Sequence, residues 1–300
     1  METFLALLYT FLWSSASVAT KFGLKSGPPL MLAAIRFSLA GLILLAVNGL
    51  LHRGVWPKRE QMGALAMIGF LNTTLYLGAS FMALQVVPAG LFNLFVAVNP
   101  FFVLILEFTW LKKTIRRTQW WGFIVAVLGL GIGSWQALTH VHTPLWGLIL
   151  VIGGQMAMAL GSIYFHHVGI PGSTIIINIW QLIWGAIFLW PIALLVSFSK
   201  PIKWNGDWWG SLLWLVGAVS IGAMLLWFRL LRQGAAKASM WLLLTPIIGY
   251  VLGFLILHEA LTFYDMIASI LVMFGLFLAN RRVLSQHGGL NTSSRTSSDT

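Results

Sequence analysis

The sequence predicts an all-α integral membrane protein with about ten transmembrane helices in two inverted five-helix repeats. Three observations predict it. The chain is 59% hydrophobic and only 8% charged, whereas a soluble domain carries roughly 25% charged residues. At about 20 residues per span, and with short loops, its 300 residues have room for about ten crossings. Finally, one pattern occurs twice. Residues 93–133 read NLFVAVNPFFVLILEFTWLKKTIRRTQWWGFIVAVLGLGIG, an apolar run broken at Asn99-Pro100, a polar patch, then a second apolar run. Residues 239–279 repeat that plan, and an offset of 146 lays Pro100 on Pro246, Lys113 on Glu259 and Gly129 on Gly275. Paired, proline-interrupted apolar segments in two halves of a chain point to a solute site at the repeat interface.

In chain order, the spans are expected at 3–23, 29–50, 62–83, 89–110 and 119–138, then at 145–165, 174–197, 209–231, 238–257 and 263–281. Residues 1–138 form the first repeat and 145–282 the second. A Ser/Thr/Gly-rich tail over 283–300, low in apolar residues, is expected to be a disordered cytoplasmic segment. The first span resembles a secretory signal in having Ser17-Val18-Ala19 at cleavage-like spacing. Its N-terminal flank has Glu2 and no Lys or Arg, and the repeat needs this helix to match the sixth, so it is read as a span.

Loop charge sets orientation. With the N-terminus inside, one face receives Arg53, Lys58, Arg59, Lys112, Lys113, Arg116 and Arg117, and later Arg229, Arg232, Lys237, Arg281 and Arg282. The other face receives only Lys21, Lys25, Lys200 and Lys203. Lys/Arg-rich loops stay inside, so both termini are expected to be cytoplasmic, in a plasma membrane such as the inner membrane of a bacterium. Trp56, Trp110, Trp120, Trp121, Trp146, Trp204, Trp208 and Trp209 cluster at span ends, where amphipathic rings anchor at the interface.

Polar groups are costly in hydrocarbon and turn toward the bundle interior or a water-filled cavity. Arg36 lies about two turns inside the outer end of span two. It has two readings: a structural residue bonded to carbonyls or headgroups, or an anion contact for a ligand carboxylate. The mid-membrane polar set adds Trp13, Ser14, Ser17, Asn72, Tyr76, Asn93 and Asn99 from the first half, and Gln155, Trp180, Gln181 and Tyr250 from the second. Any one of these serves equally as interhelical glue; together they suit a neutral or zwitterionic ligand. Arg36 aligns with Trp180, which sets a charge on one wall against an aromatic surface on the other. Glu107 is read as an ion pair with the basic loop or as a proton-coupling carboxylate. Glu259, at a helix end, is read as a cap. Pro100 and Pro246 are kinks or hinges. Gly129-xxx-Gly133 and Gly275-xxx-Ala279 permit close helix approach.

The second half ends in LTPIIGYVLGFLILHEALTFYDMIASILVMFGLFLANRR. A proline, a Gly-containing apolar run, Glu259 and a Gly-bearing last helix resemble the second repeat of the EamA family, in the drug/metabolite transporter superfamily. The resemblance covers residues 1–282, although Lys112-Lys113 stands where such repeats usually have a Gly-Glu pair. It implies ten helices in two inverted repeats, and export or exchange of small metabolites, often amino acids.

Several classes are disfavoured. The net charge of +11 resides in loops between apolar runs, so it reads as a topology signal and not as a nucleic-acid surface. No GxxxxGK[ST] segment cradles a nucleotide, and only one clearly buried cation is available where a phosphorylated sugar would want several. HExxH and GxSxG are absent, which weighs against an intramembrane enzyme acting on lipid or peptide substrates. A non-transporting membrane sensor is the remaining alternative. Without cysteine there is no disulfide or thiolate metal site, and the pairs His140/His142 and His166/His167 are expected in loops. No cofactor, metal or catalytic residue is expected. The partners are a small-molecule substrate and the lipid bilayer, with H+ as candidate coupling ion, in a monomer or homodimer.

Overall fold

The computed structural model describes residues 2–51, 56–112, 114–139, 142–197 and 200–289. In hydrocarbon a backbone has no water to bond, so it must satisfy itself. The described residues accordingly form ten helical spans: α1 (Glu2–Leu24), α2 (Pro29–Leu50), α3 (Arg59–Ala83), α4 (Ala89–Thr109), α5 (Arg117–Thr139), α6 (Leu145–Val168), α7 (Thr174–Ser197), α8 (Gly206–Leu231), α9 (Lys237–Leu257) and α10 (Phe263–Gly289). Nine of these are long and apolar enough to cross a bilayer, and α10 carries a shorter apolar stretch, Phe263–Ala279. No strand occurs among the described residues. The chain is an all-α, multi-pass membrane protein.

Local chemistry sets the ends. Pro29 opens α2, and Pro88 and Pro144 immediately precede α4 and α6, positions where the missing N–H costs nothing. Asn205 accepts a hydrogen bond from the Trp208 N–H and caps α8. Gly169 ends α6 at φ 60° and His258 ends α9 at φ 55°, both left-handed. His166 and His167 are in the last turn of α6, not in a loop, because that helix runs to Val168. The last helix also outruns its expected end at 281, and continues to Gly289. The remainder of the expected tail, and His140, lie outside the described residues.

Four spans are irregular, in two pairs. Span α4 breaks at Val98 and restarts as an α-helix at Asn99 with Pro100 in its first turn. Span α9 has a 3-10 stretch, Met240–Leu244, and restarts at Thr245 with Pro246 in its first turn. Spans α3 and α8 each contain a nine-residue π-helix, Gly69–Leu77 and Leu215–Ala223. Both pairs are separated by 146 residues, the offset of the sequence pattern. The Gln61 amide donates to the Pro171 carbonyl at 2.8 Å, so α7 starts at the end of the bundle where α3 starts and α2 finishes. Spans α2 and α7 therefore begin at opposite ends.

Glycine decides how close α5 and α10 come. A Cβ on Gly122 would overlap the Gly275 carbonyl, and one on Gly275 would overlap that of Gly122. Gly129 also packs on α10, its virtual Cβ 2.8 Å from the Ala268 oxygen, while Gly133 packs on Leu94 of α4. Gly275→Leu should push the two helices apart and cost about 1–3 kcal/mol through overpacking. The check is thermal unfolding in detergent: Gly275→Leu lowers the midpoint, while Gly131→Leu, whose Cβ meets nothing within 4 Å, leaves it in place. Equal midpoints for the two variants would refute the seam.

Candidate binding site

The site is built around Arg36. Two turns into α2, its side chain is 1% exposed, so the guanidinium cannot reach headgroups. Its Nε donates to Ser220 Oγ at 2.7 Å, from the π-helical stretch of α8. The Nη2 atom is buried with no hydrogen-bond partner. The guanidinium carbon lies 5.1 Å from the Phe37 ring centre and 5.5 Å from that of Phe81. Ring faces carry negative potential, so this is a cation–π cradle. Among the described residues no carboxylate pairs with Arg36.

Beside it is a cavity of about 20 Å³, lined by Trp13, Ser17, Arg36, Tyr76, Phe81 and Phe92 among others. That is room for about one water molecule. Spans α1, α2, α3, α4 and α8 all contribute to it. Its aromatic side continues as a stack through the bundle: Trp227 on Tyr9 at 5.3 Å, Tyr9 on Trp13 at 5.7 Å, Trp13 on Tyr76 at 6.2 Å. The Tyr76 ring packs on Gly154 of α6, next to Gln155. On Gln155 converges Asn99, whose Nδ2 donates to its backbone oxygen at 3.0 Å and its Oε1 at 3.2 Å. Asn99 Oδ1 and Gln155 Nε2 are left without partners.

Other residues of the expected set lie further off. Asn72, in the π-helix of α3, is buried against Gly161 of α6 with neither amide atom bonded. Asn93 ties α4 to α1: its Nδ2 donates to Ser17 Oγ at 2.7 Å, and its carbonyl accepts from Thr245 of α9 at 3.0 Å. Ser14 is buried in α1, its hydroxyl unpartnered. Gln181 donates to Asn178 Oδ1 at 3.1 Å, and Asn178 donates to the Ser220 carbonyl at 2.9 Å. Glu107 is buried near the end of α4. Pro100 and Pro246 are buried in the first turns of their restarted segments.

Two placements correct the sequence reading. Trp180 is not among the residues lining the Arg36 cavity; its ring lies tilted against Trp56, centres 5.1 Å apart, in the segment just before α3. Because α2 and α7 start at opposite ends, matching positions on the two spans lie at different depths. The aromatic wall at Arg36 is Trp13, Tyr76, Phe81 and Phe92. Tyr250 is also elsewhere, in a separate cavity of about 30 Å³ with Gln136, Glu259 and Asp265. Asp265 itself was not singled out; it caps α10 by accepting from the Thr262 N–H at 2.9 Å.

Sequence reasoning missed Tyr9, Ser220, Phe81 and Phe92. Tyr9 was detectable in part, since it sits four residues before Trp13 on the same helical face. A lone serine such as Ser220 in an apolar span carries no signal of what it bonds. No group of three potential His, Asp, Glu or Cys metal ligands occurs among the described residues.

Comparison with known proteins adds to this geometry. The model of the EamA-like transporter family matches twice, over residues 1–134 and 145–281. An uncharacterized transporter of Bacillus subtilis, YvbV, is 28% identical over 95% of this chain and 94% of its own. An uncharacterized inner membrane transporter of Escherichia coli K12, YedA, is 26% identical over 89% of this chain and 86% of its own. One protein of known crystal structure shares the fold with a TM-score of 0.65 and 18% identity, covering 93% of this chain and 96% of that one.

Proposed function

The chain belongs to the EamA-like transporter family, and from that membership we propose that it is a secondary transporter that exports or exchanges small carboxylate-bearing metabolites, amino acids foremost. The observation that carries the reading is Arg36, a buried cation with an unpartnered Nη2 beside a ring-walled cavity. A charge in a span costs at least ~2.5–3.5 kcal/mol on insertion scales. One serine and two ring faces offset only part of that. A substrate carboxylate would take the free donor through a charge-assisted bond.

The remaining polar atoms favour a zwitterion. The unpartnered Asn99 Oδ1 and Asn72 Oδ1 are acceptors suited to an ammonium, and Tyr76 reaches from the Arg36 cavity to Gly154, beside Gln155. The cavity holds about one water, so substrate enters only a more open state. Two inverted five-helix units, 1–138 and 145–282, supply that motion by alternating access. The two family matches and the paired breaks and π-helices at a 146-residue offset support this division. Pro100 and Pro246 serve as hinges, since each restarts a helix whose preceding carbonyls lack an intrahelical donor.

Arg36→Gln should raise the apparent Km for a carboxylate substrate by about one to two orders of magnitude, the loss of ~1.5–3 kcal/mol. Arg36→Lys should restore transport only in part, because an ammonium lacks the planar fork. Proteoliposome flux with amino acids provides the measurement; normal transport by both variants would remove the carboxylate reading.

Glu107 is the candidate for proton coupling, its other role being an ion pair with the basic loop after α4. Glu107→Gln should abolish uptake driven by a pH gradient while counterflow persists, since exchange of loaded carriers need not move protons. Gradient-driven uptake unchanged in Glu107→Gln would return the residue to a structural role beside the basic loop.

Both termini lie in the cytoplasm of a bacterial cell, whose inner membrane the protein crosses. The absence of native cysteine makes this testable. A membrane-impermeant maleimide applied to intact cells should label cysteine at His142 and not at Lys58; the opposite pattern reverses the orientation.

A further inference from the structure

Span α9 stops because His258 takes up a left-handed conformation, and the turn folds Glu259 back over the start of α4. There the Ala89 N–H donates to both carboxylate oxygens, each at 2.9 Å, and the Gly90 N–H to one at 3.3 Å. Lys21 Nζ, at the end of α1, lies 3.3 Å from the same carboxylate. The first N–H groups of a helix have no intrahelical acceptor and sit at the positive end of its dipole. A carboxylate is therefore held there by hydrogen bonds and by charge together. Gly253 makes the approach possible, since a Cβ there would stand 2.8 Å from Glu259 Oε2.

This contact stands directly over the Arg36 cavity. Thr20 lines the cavity and immediately precedes Lys21; Phe92 lines it and follows Ala89 by one turn. One carboxylate carried by the α9–α10 turn thus ties α9, which packs on α1, to the start of α4 across the mouth. The 146-residue offset puts Lys113 where Glu259 stands and Ala235, the start of a short helix, where Ala89 stands. An ammonium has donors only and cannot accept from a helix start, wherever its chain is placed.

We propose that Glu259 is the latch of the outer mouth of the Arg36 site. The inference rests on the orientation and alternating access proposed above. Glu259 must leave the start of α4 before α4 separates from α9 and from α1, on which α9 packs. The Lys21 pair contributes little, because both side chains are 21% exposed and the attraction is screened.

The test is labelling of Thr20→Cys, a cavity position 1% exposed, with an impermeant maleimide outside the cell. Glu259→Ala should speed labelling about tenfold, the shift expected from losing a helix-start carboxylate and its dipole interaction. Gly253→Ala, which leaves the carboxylate in the chain but crowds it off its seat, should speed labelling by a smaller factor. Lys21→Gln should change the rate less than about twofold, as an exposed pair predicts. Elution as one species and unchanged labelling of His142→Cys show that each variant is folded. Equal rates in the parent, Glu259→Ala and Gly253→Ala overturn the latch. Acceleration confined to inverted membrane vesicles overturns the orientation and leaves Glu259 as the latch of that mouth. No substrate is needed, so the outcome is independent of the carboxylate reading of Arg36.

Discussion

A carbonyl or N–H released from its helix inside a bilayer has no water to turn to, and every irregular stretch of this fold is arranged around that constraint. Where α9 passes from 3-10 to α-helix, Thr245 donates to the Leu242 carbonyl at 2.6 Å and reaches the Asn93 carbonyl at 3.0 Å. Within the π-helix of α3, Thr74 donates to the Gly185 carbonyl of α7 at 3.0 Å. In α8 the Ser220 carbonyl takes the Asn178 amide. Hydroxyls and amides on neighbouring helices thus close the bonds that the breaks open. The breaks are tolerated because they are buried in protein, and the same side chains become the polar lining of the bundle.

Charge is handled by two different rules at two depths. Arg36 is fully buried and meets ring faces and a single hydroxyl, which leaves part of its hydrogen-bonding capacity free. Glu259 lies at a span end, partly exposed, and has its needs met by a helix start and Lys21. The first arrangement leaves a buried donor free. The second holds helices together and can be released at modest cost, because water reaches it. A transporter needs both: affinity inside, and contacts at the mouth that open and close.

Small residues divide the bundle mechanically. Spans α5 and α10 meet backbone to backbone at Gly122 and Gly275, and Gly69 brings α3 against the Gln181 carbonyl of α7. Such seams pack tightly and resist change of register. The Arg36 cavity, by contrast, is walled by large rings and short polar side chains from five spans.

The sequence by itself determined the spans, their breaks and the glycine seam, because hydropathy, proline and small-residue spacing act locally. Span limits read from composition fall within three residues of the structural ones except at the end of α10. It placed Arg36 inside a span but left headgroup contact open, and the structure buries it. Only the tertiary structure decided what each polar group meets. Arg36 bonds Ser220 across 184 residues and Glu259 caps Ala89 across 170. Trp180 and Tyr250 passed for site residues because they lie within spans, yet rotation of α7 and α9 about their axes turns them to Trp56 and to Gln136 and Asp265. A span's composition says how deep a residue lies and nothing about which neighbour it faces; that direction is set when the ten helices pack.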